Sequence, residues 1–206
     1  MPGDAGTEQT TTVIVGAGLP GLAVAAELRR RGVPAIVVDG LDPHSTSRHP
    51  ATGSQQRCDA PDSETLRERN EILRHLRNYA TSHDVDIRSI RAVQLARTVP
   101  THGTGAPAWE VHTSAGVLMA QQVVLTRCAQ SQLRRMVSEL DLIAGGNPAA
   151  AMRAVGIYLV GVGELITPSP KDVLRQAKTV GQAISAQVNP GSEACPPTAS
   201  LAMLPC

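Results

Sequence analysis

Phenylalanine is absent from these 206 residues, and two tyrosines and one tryptophan bring the aromatic share to only 1%. A core must therefore be assembled from Val, Leu, Ile, Ala and Met, and a planar ring held by this chain would meet few stacking partners. Long hydrophobic runs are lacking too. No apolar stretch approaches the roughly 20 residues that a membrane span needs, and the opening MPGDAGTEQT has neither the basic nor the apolar segment of a secretory signal. No membrane association and a cytoplasmic location are expected. Neither sign of charge dominates: 19 basic and 18 acidic residues leave a formal net charge of +1. With no basic stripe to track phosphates, nucleic acid is not an expected partner. Cys58, Cys128, Cys195 and Cys206 form no C-x-x-C pair and no zinc-like spacing with histidine, so neither a metal site nor a disulfide is expected.

The 42% hydrophobic and 18% charged residues are those of an ordinary globular chain. One domain is expected over residues 11–188, between a disordered start (1–10) and a disordered tail (189–206) that carries four prolines. Thr12 to Val15 reads as a buried strand, Pro20 to Arg31 as a helix stopped by Gly32, and Val33 to Val38 as a second strand. Residues 40–63 are rich in Pro, Ser, Thr, Gly and His without periodicity, which suits an active-site loop or a lost element. Leu66 to Ser82 reads as a helix capped by Ser63 or Asp62, and Val85 to Ile87 as a third parallel strand. Ala92 to Thr98, Ala108 to Thr113 and Val117 to Gln122, parted by Gly-rich turns, form an antiparallel meander. Val123 to Thr126 returns to a parallel strand, and Ala129 to Arg153 reads as a weak helix followed by a Gly-Gly-Asn-Pro break. Ile157 to Val160 is the last strand and Lys171 to Gln187 the last helix. The fold class is thus α/β: a Rossmann-like parallel sheet of about five strands, flanking helices and a three-stranded antiparallel β-meander insertion.

Between the first strand and the first helix stands Gly16-Ala17-Gly18-Leu19-Pro20-Gly21, a G-x-G-x-x-G. In such a turn the first glycine makes the bend, the second lets backbone approach a pyrophosphate at the helix N-terminus, and the third lets helix and strand pack closely. With 18 glycines the pattern alone would occur by chance in roughly one such chain in eight. The context carries the reading: strand, helix, second strand, and then Asp39, placed where a carboxylate accepts ribose hydroxyls. A carboxylate there repels a 2′-phosphate, which disfavours NADP at this unit. The fingerprint itself does not separate FAD from NAD.

TTVIVGAGLPGLAVAAELRRRGVPAIVVDG, EILRHLRNYATSHDVDIR, AWEVHTSAGVLMAQQVVLT and GIYLVGVGELITPSPKDVLRQAKTVGQAIS together resemble the FAD-binding half of flavin-containing monooxygenases and related two-dinucleotide-domain oxidoreductases. The resemblance is discontinuous and covers most of the chain. It implies FAD as cofactor, with NAD less favoured. It also implies Gly16, Ala17, Gly18, Leu19, Pro20 and Gly21 at the pyrophosphate, Asp39 at the ribose, the backbone of Val93 at adenine, and Thr126 and Gly161 in the later turns. Four departures accompany it. No Gly-Gly-x-Trp-like segment follows Asp39, and the Ala-Thr-Gly turn is Leu125-Thr126-Arg127. The Gly-Asp near the ribityl chain is Gly161-Val162, and no second fingerprint lies between Thr126 and Gly156, where an NADPH domain would sit. The chain therefore resembles an internally shortened relative.

Three readings follow. The first is a monooxygenase-like, FAD-dependent oxidoreductase fed by a separate reductase or electron donor and acting on a small molecule; its catalytic residues are unassigned. The second is a vestigial, non-catalytic dinucleotide-binding protein. The third is a small NAD-binding dehydrogenase, but neither Tyr79 nor Tyr158 has the lysine that its acid–base pair needs. His44, His49, His75 and His83 have no assignable carboxylate partner and read as surface histidines. Trp109 reads as a meander packing residue and Cys128 as a small buried apolar one.

Overall fold

The computed structural model describes residues 6–40, 63–98, 108–126, 148–161 and 168–189. Its elements are β1 (Thr7–Val15), α1 (Leu19–Arg30), β2 (Ala35–Asp39), α2 (Ser63–Ser82), β3 (Asp86–Thr98), β4 (Ala108–Thr113), β5 (Gly116–Leu125), α3 (Pro148–Ala154), β6 (Ile157–Leu159) and α4 (Pro170–Val188). Parallel pairings run β3-β2-β1-β5-β6, the five-stranded sheet that the pattern implies. β4 lies antiparallel between β3 and β5.

The meander differs from expectation in one respect. It is not an insertion of three new strands, because β3 and β5 are continuous and each serves two partners. β3 pairs with β2 through its first half and with β4 through its second. β5 pairs with β4 near its start and with β1 along its length. The polar Arg88 to Arg91 stretch hides this continuity in the sequence, since it reads as a break between two short apolar runs. The first strand also begins earlier than Thr12. Thr7 to Thr10 is strand, because it pairs with Val117 to Ala120 despite its polar composition. The second strand starts at Ala35 instead of Val33, whose N–H closes the exit of α1 on Leu28 O. Ser63 is the first residue of α2, and Asp62, the other cap candidate, lies outside the described residues. The rest of the 40–63 loop, residues 129–147 of the weak helix and the tail beyond 189 lie outside the described residues.

Side-chain alternation along the strands sorts the interior into two clusters. Ile14, Val37, Val124 and Tyr158 face the helices, where they meet Leu19, Val24 and Leu28 of α1 and Val173, Ala177 and Ile184 of α4. Val13, Val15, Ile36, Val38, Val123, Leu125 and Ile157 face the other way and meet Ala92, Trp109, Val111 and Leu118 of the meander. Two of the three aromatic residues are spent here. Trp109, 1% exposed, packs in the meander as its sequence context suggests and donates Nε1–H to Val155 O at 2.8 Å. Tyr158 donates its hydroxyl to Gln187 Oε1 at 2.9 Å, and burial pushes its pKa up. α4 opens at Ser169, whose Oγ accepts from the Asp172 N–H.

Below the start of β2, Arg88 on β3 forks onto Glu8 of β1, one arm at 2.7 Å, and also meets Asp86. The hydrogen bonds from Arg88 hold the Glu8 carboxyl below its ordinary value of 4.5. A carboxyl whose folded pKa is lowered contributes stability that is complete above its unfolded value and lost as the pH falls through the folded one. Because Glu8 is about half exposed, the gain is small and screened by salt. Carboxyl-detected NMR should place the Glu8 midpoint below 4.5 in the parent protein and back in the ordinary carboxylate range in Arg88→Ala. An unmoved midpoint would show that the fork does not form in solution.

Candidate functional site

Four strand ends converge on the first turn of α1. Gly16 leaves β1 with φ +117°, a conformation that side chains rarely adopt, and its N–H donates to Val38 O at 2.8 Å. That bond fixes the turn against the end of β2, one residue before Asp39. On the opposite side stands Thr126, 1% exposed, just past the end of β5. Its Oγ1 donates to Val15 O at 2.9 Å and lies 3.3 Å from Gly16 O, and its N–H bonds Val15 O at 3.1 Å. A Cβ on Gly16 would stand 2.1 Å from the Thr126 hydroxyl, so the two residues leave each other no spare room.

The three fingerprint glycines are not equivalent. A Cβ on Gly21 would come within 1.9 Å of Gly16 O and 3.4 Å of Ile14 Cγ2, so the helix can start this close to β1 only without a side chain there. At Gly18 nothing is nearer than Pro20 Cδ at 3.7 Å, ordinary contact. Gly18 is the N-cap of α1, with extended backbone and no side chain capping the first turn. The space in front of it therefore opens onto the positive end of the helix, suited to an anion. Leu19 and Pro20 are buried, Ala17 partly so.

Asp39 ends β2, half-buried. Val93 is 36% exposed, at the register irregularity between Ala92 and Gln94 of β3, beyond Asp39 along the sheet edge. Gly161, after β6, is brought to the same end of the sheet: a Cβ there would meet Pro20 Cγ at 2.7 Å. Its N–H donates to Gln176 Oε1 of α4 at 2.9 Å. The structure thus gathers the fingerprint, Asp39, Thr126 and Gly161 around one helix start, with Val93 further out. Gln176 was not visible from the sequence as part of this end; only its place on the inner side of α4 makes it so.

His75 and His83 stand elsewhere. His75 and Glu71, 3.8 Å apart, are both about two-thirds exposed on α2. His83 stacks on Tyr79 with ring centroids 4.1 Å apart, at the amino end of β3. His44, His49 and Cys128 lie outside the described residues. Among the described residues no group of three potential metal ligands occurs, and no helix is long and apolar enough to cross a membrane.

The model of the family described as FAD binding domain matches residues 9–113. No curated protein matches the chain. THI4 from Thermovibrio ammonificans is similar in structure with a TM-score of 0.52 at 16% identity, over 88% of this chain and 90% of that one. A mutant flavin monooxygenase from Stenotrophomonas maltophilia gives a TM-score of 0.50 at 13% identity, over 88% of this chain and 99% of that one. A thioredoxin reductase from Gloeobacter violaceus gives 0.38 at 20% identity, and there the chain spans only 35% of the relative's length. At such identities the likeness to the first two is one of fold.

The spacing of the glycines orders their substitutions. Gly21→Ala should cost several kcal/mol or prevent folding, because backbone atoms must separate. Thr126→Val should cost about 1 to 3 kcal/mol, since the Val15 and Gly16 carbonyls lose a buried donor. Gly18→Ala should melt within about 1 kcal/mol of the parent. Urea denaturation checks all three, and a Gly18→Ala protein as unstable as Gly21→Ala would overturn the distinction.

Proposed function

The chain belongs to the FAD binding domain family, and from that premise we propose that it is a monooxygenase-like flavoprotein that holds the ADP half of FAD at the α1 turn and takes its electrons from a separate reductase. The observation that carries this reading is the open cradle at Gly18: of the three fingerprint glycines it alone has space for a Cβ, and it is the N-cap of a first turn that no side chain caps. The residues fit the group. Backbone N–H groups of Gly18, Leu19 and Gly21 would meet the pyrophosphate, and the Asp39 carboxylate would accept from the ribose hydroxyls. Thr126 holds the turn in shape from behind, while the Val93 backbone lies on the adenine side. When bound, FAD supplies the redox chemistry, and the protein supplies binding, orientation and exclusion of water.

A separate electron donor goes with this reading because the 29 residues between Thr126 and Gly156 contain no second fingerprint. A small-molecule substrate and a cytoplasmic location accompany it. One observation favours a second reading, binding without turnover. The Gly161 N–H is already engaged by Gln176, and Val162 stands where the resemblance implies an acid. A dehydrogenase using Tyr158 as its acid has no support, since that hydroxyl is buried and bonded to Gln187.

Purified protein loaded with FAD should show flavin absorption after gel filtration. Gly18→Val should abolish it while the circular dichroism spectrum is kept, because the added side chain fills the pyrophosphate space. Asp39→Ala should weaken binding by about 1 to 3 kcal/mol, the scale of a hydrogen bond to a charged group. Parent-like affinity in Gly18→Val would remove the site assignment.

The electron source is tested separately. Hydride transfer needs the nicotinamide placed against the flavin. With excess NADPH and no oxygen, the flavin absorbance of the loaded protein should stay unbleached for minutes in a stopped-flow cell, yet bleach with dithionite. Bleaching within seconds would overturn the need for a separate reductase.

A further inference from the structure

The end of β2 has a cationic neighbour that sequence spacing does not reveal. Along β2 and β3, Ile36, Val37 and Val38 stand opposite Asp86, Ile87 and Arg88, but the next residue, Asp39, stands opposite Arg91. β3 therefore spends three steps where β2 spends one. Without that bulge Ser89 would face Asp39, so the irregularity itself delivers the guanidinium, in the way bulges re-aim side chains beside functional sites. Val38 and Ala92 both pack into the meander-side cluster, so Asp39 and Arg91 both leave on the opposite face, the one that carries α1. Register neighbours on paired strands lie about 5 Å apart. Among the described residues the ion pairs of β3 belong to Arg88, and neither Asp39 nor Arg91 has a charge partner within 4 Å. Arg91 is exposed and Asp39 half-buried.

We infer that Arg91 is a specificity-determining residue of the nucleotide site, and that its guanidinium receives a phosphate ester on the adenosine ribose, so that the site takes 2′-phosphorylated ADP-ribose compounds as well as unphosphorylated ones. The inference rests on the reading of the α1 turn as a dinucleotide site. Asp39 alone would repel a 2′-phosphate, as the sequence suggests. Arg91 offsets that charge and offers a planar fork of N–H donors matched to phosphate oxygens. An NADP-type nucleotide would then compete with FAD for the same cradle instead of passing hydride to it, in keeping with a separate electron source.

The test uses two probes, ADP-ribose and 2′-phospho-ADP-ribose, titrated calorimetrically into the full chain free of FAD. The parent should bind the phosphorylated probe at least as tightly as the plain one. Arg91→Met should lose about 10- to 100-fold for the phosphorylated probe, the scale of a charge-assisted pair, and less than about threefold for ADP-ribose. Arg91→Lys, which keeps the charge but not the fork, should fall between. Equal losses for both probes, or none for either, in a variant with parent-like circular dichroism would overturn the role of Arg91. If the folded parent binds neither probe, the nucleotide reading of the turn fails first, and this inference with it.

Discussion

Everything at the functional end of this fold depends on how closely α1 begins against β1. The Gly16 carbonyl occupies the place where a Gly21 side chain would be, and the Thr126 hydroxyl occupies the place where a Gly16 side chain would be. These exclusions interlock. Gly21 permits the approach, Gly16 makes the bend that produces it, and Thr126 holds the bend by bonding the Val15 and Gly16 carbonyls from the end of β5. Because the Gly16 N–H also bonds Val38 O, the turn is tied to both neighbours of β1 in the sheet. Only Gly18 is left without an internal packing duty, which makes it the point at which a ligand can come closest to the backbone.

The scarcity of aromatics shapes how that turn is supported. Strands built from Val, Ile and Leu alternate between two interiors, one under α1 and α4 and one under the meander. Branched side chains pack well on a pleated surface and have few rotamers to lose. The two large aromatics that are buried each keep their polar tip bonded, Trp109 to Val155 O and Tyr158 to Gln187, so neither leaves an unsatisfied group in its cluster. The functional end thus sits on a sheet packed on both faces, and its geometry rests on the strands instead of on the loops.

What the sequence made legible was local. The fingerprint, the strand before it and the helix exit at Gly32 are signals spread over a few residues, and each lies where its chemistry suggests. Features that depend on register were not legible. Thr7 to Thr10 reads as a polar tail because its pairing partner, Val117 to Ala120, is more than a hundred residues away. β3 reads as two strands because Arg88, Ser89 and Arg91 interrupt the apolar pattern, although the bulge between Arg88 and Arg91 is part of one continuous strand. Arg91 went unnoticed for the same reason: a residue 52 positions from Asp39 becomes its neighbour only through that bulge.

The site is asymmetric, and the asymmetry bears on its function. Toward β2 and β3 it presents an uncapped helix start, a carboxylate and an exposed guanidinium, groups that recognise phosphates and hydroxyls. Toward β6 and α4 the described residues bond one another. Gly161 packs against Pro20, and its N–H is bonded by the Gln176 side chain. A ligand approaching from that side would have to displace Gln176 before it could use this backbone donor, losing one hydrogen bond to gain another. On the proposed reading, the described residues hold the adenosine half of a dinucleotide and offer little to its redox-active half. Such a division holds a cofactor by its handle and leaves its reactive end to whatever else meets it there, whether the segments between the described elements or a partner protein.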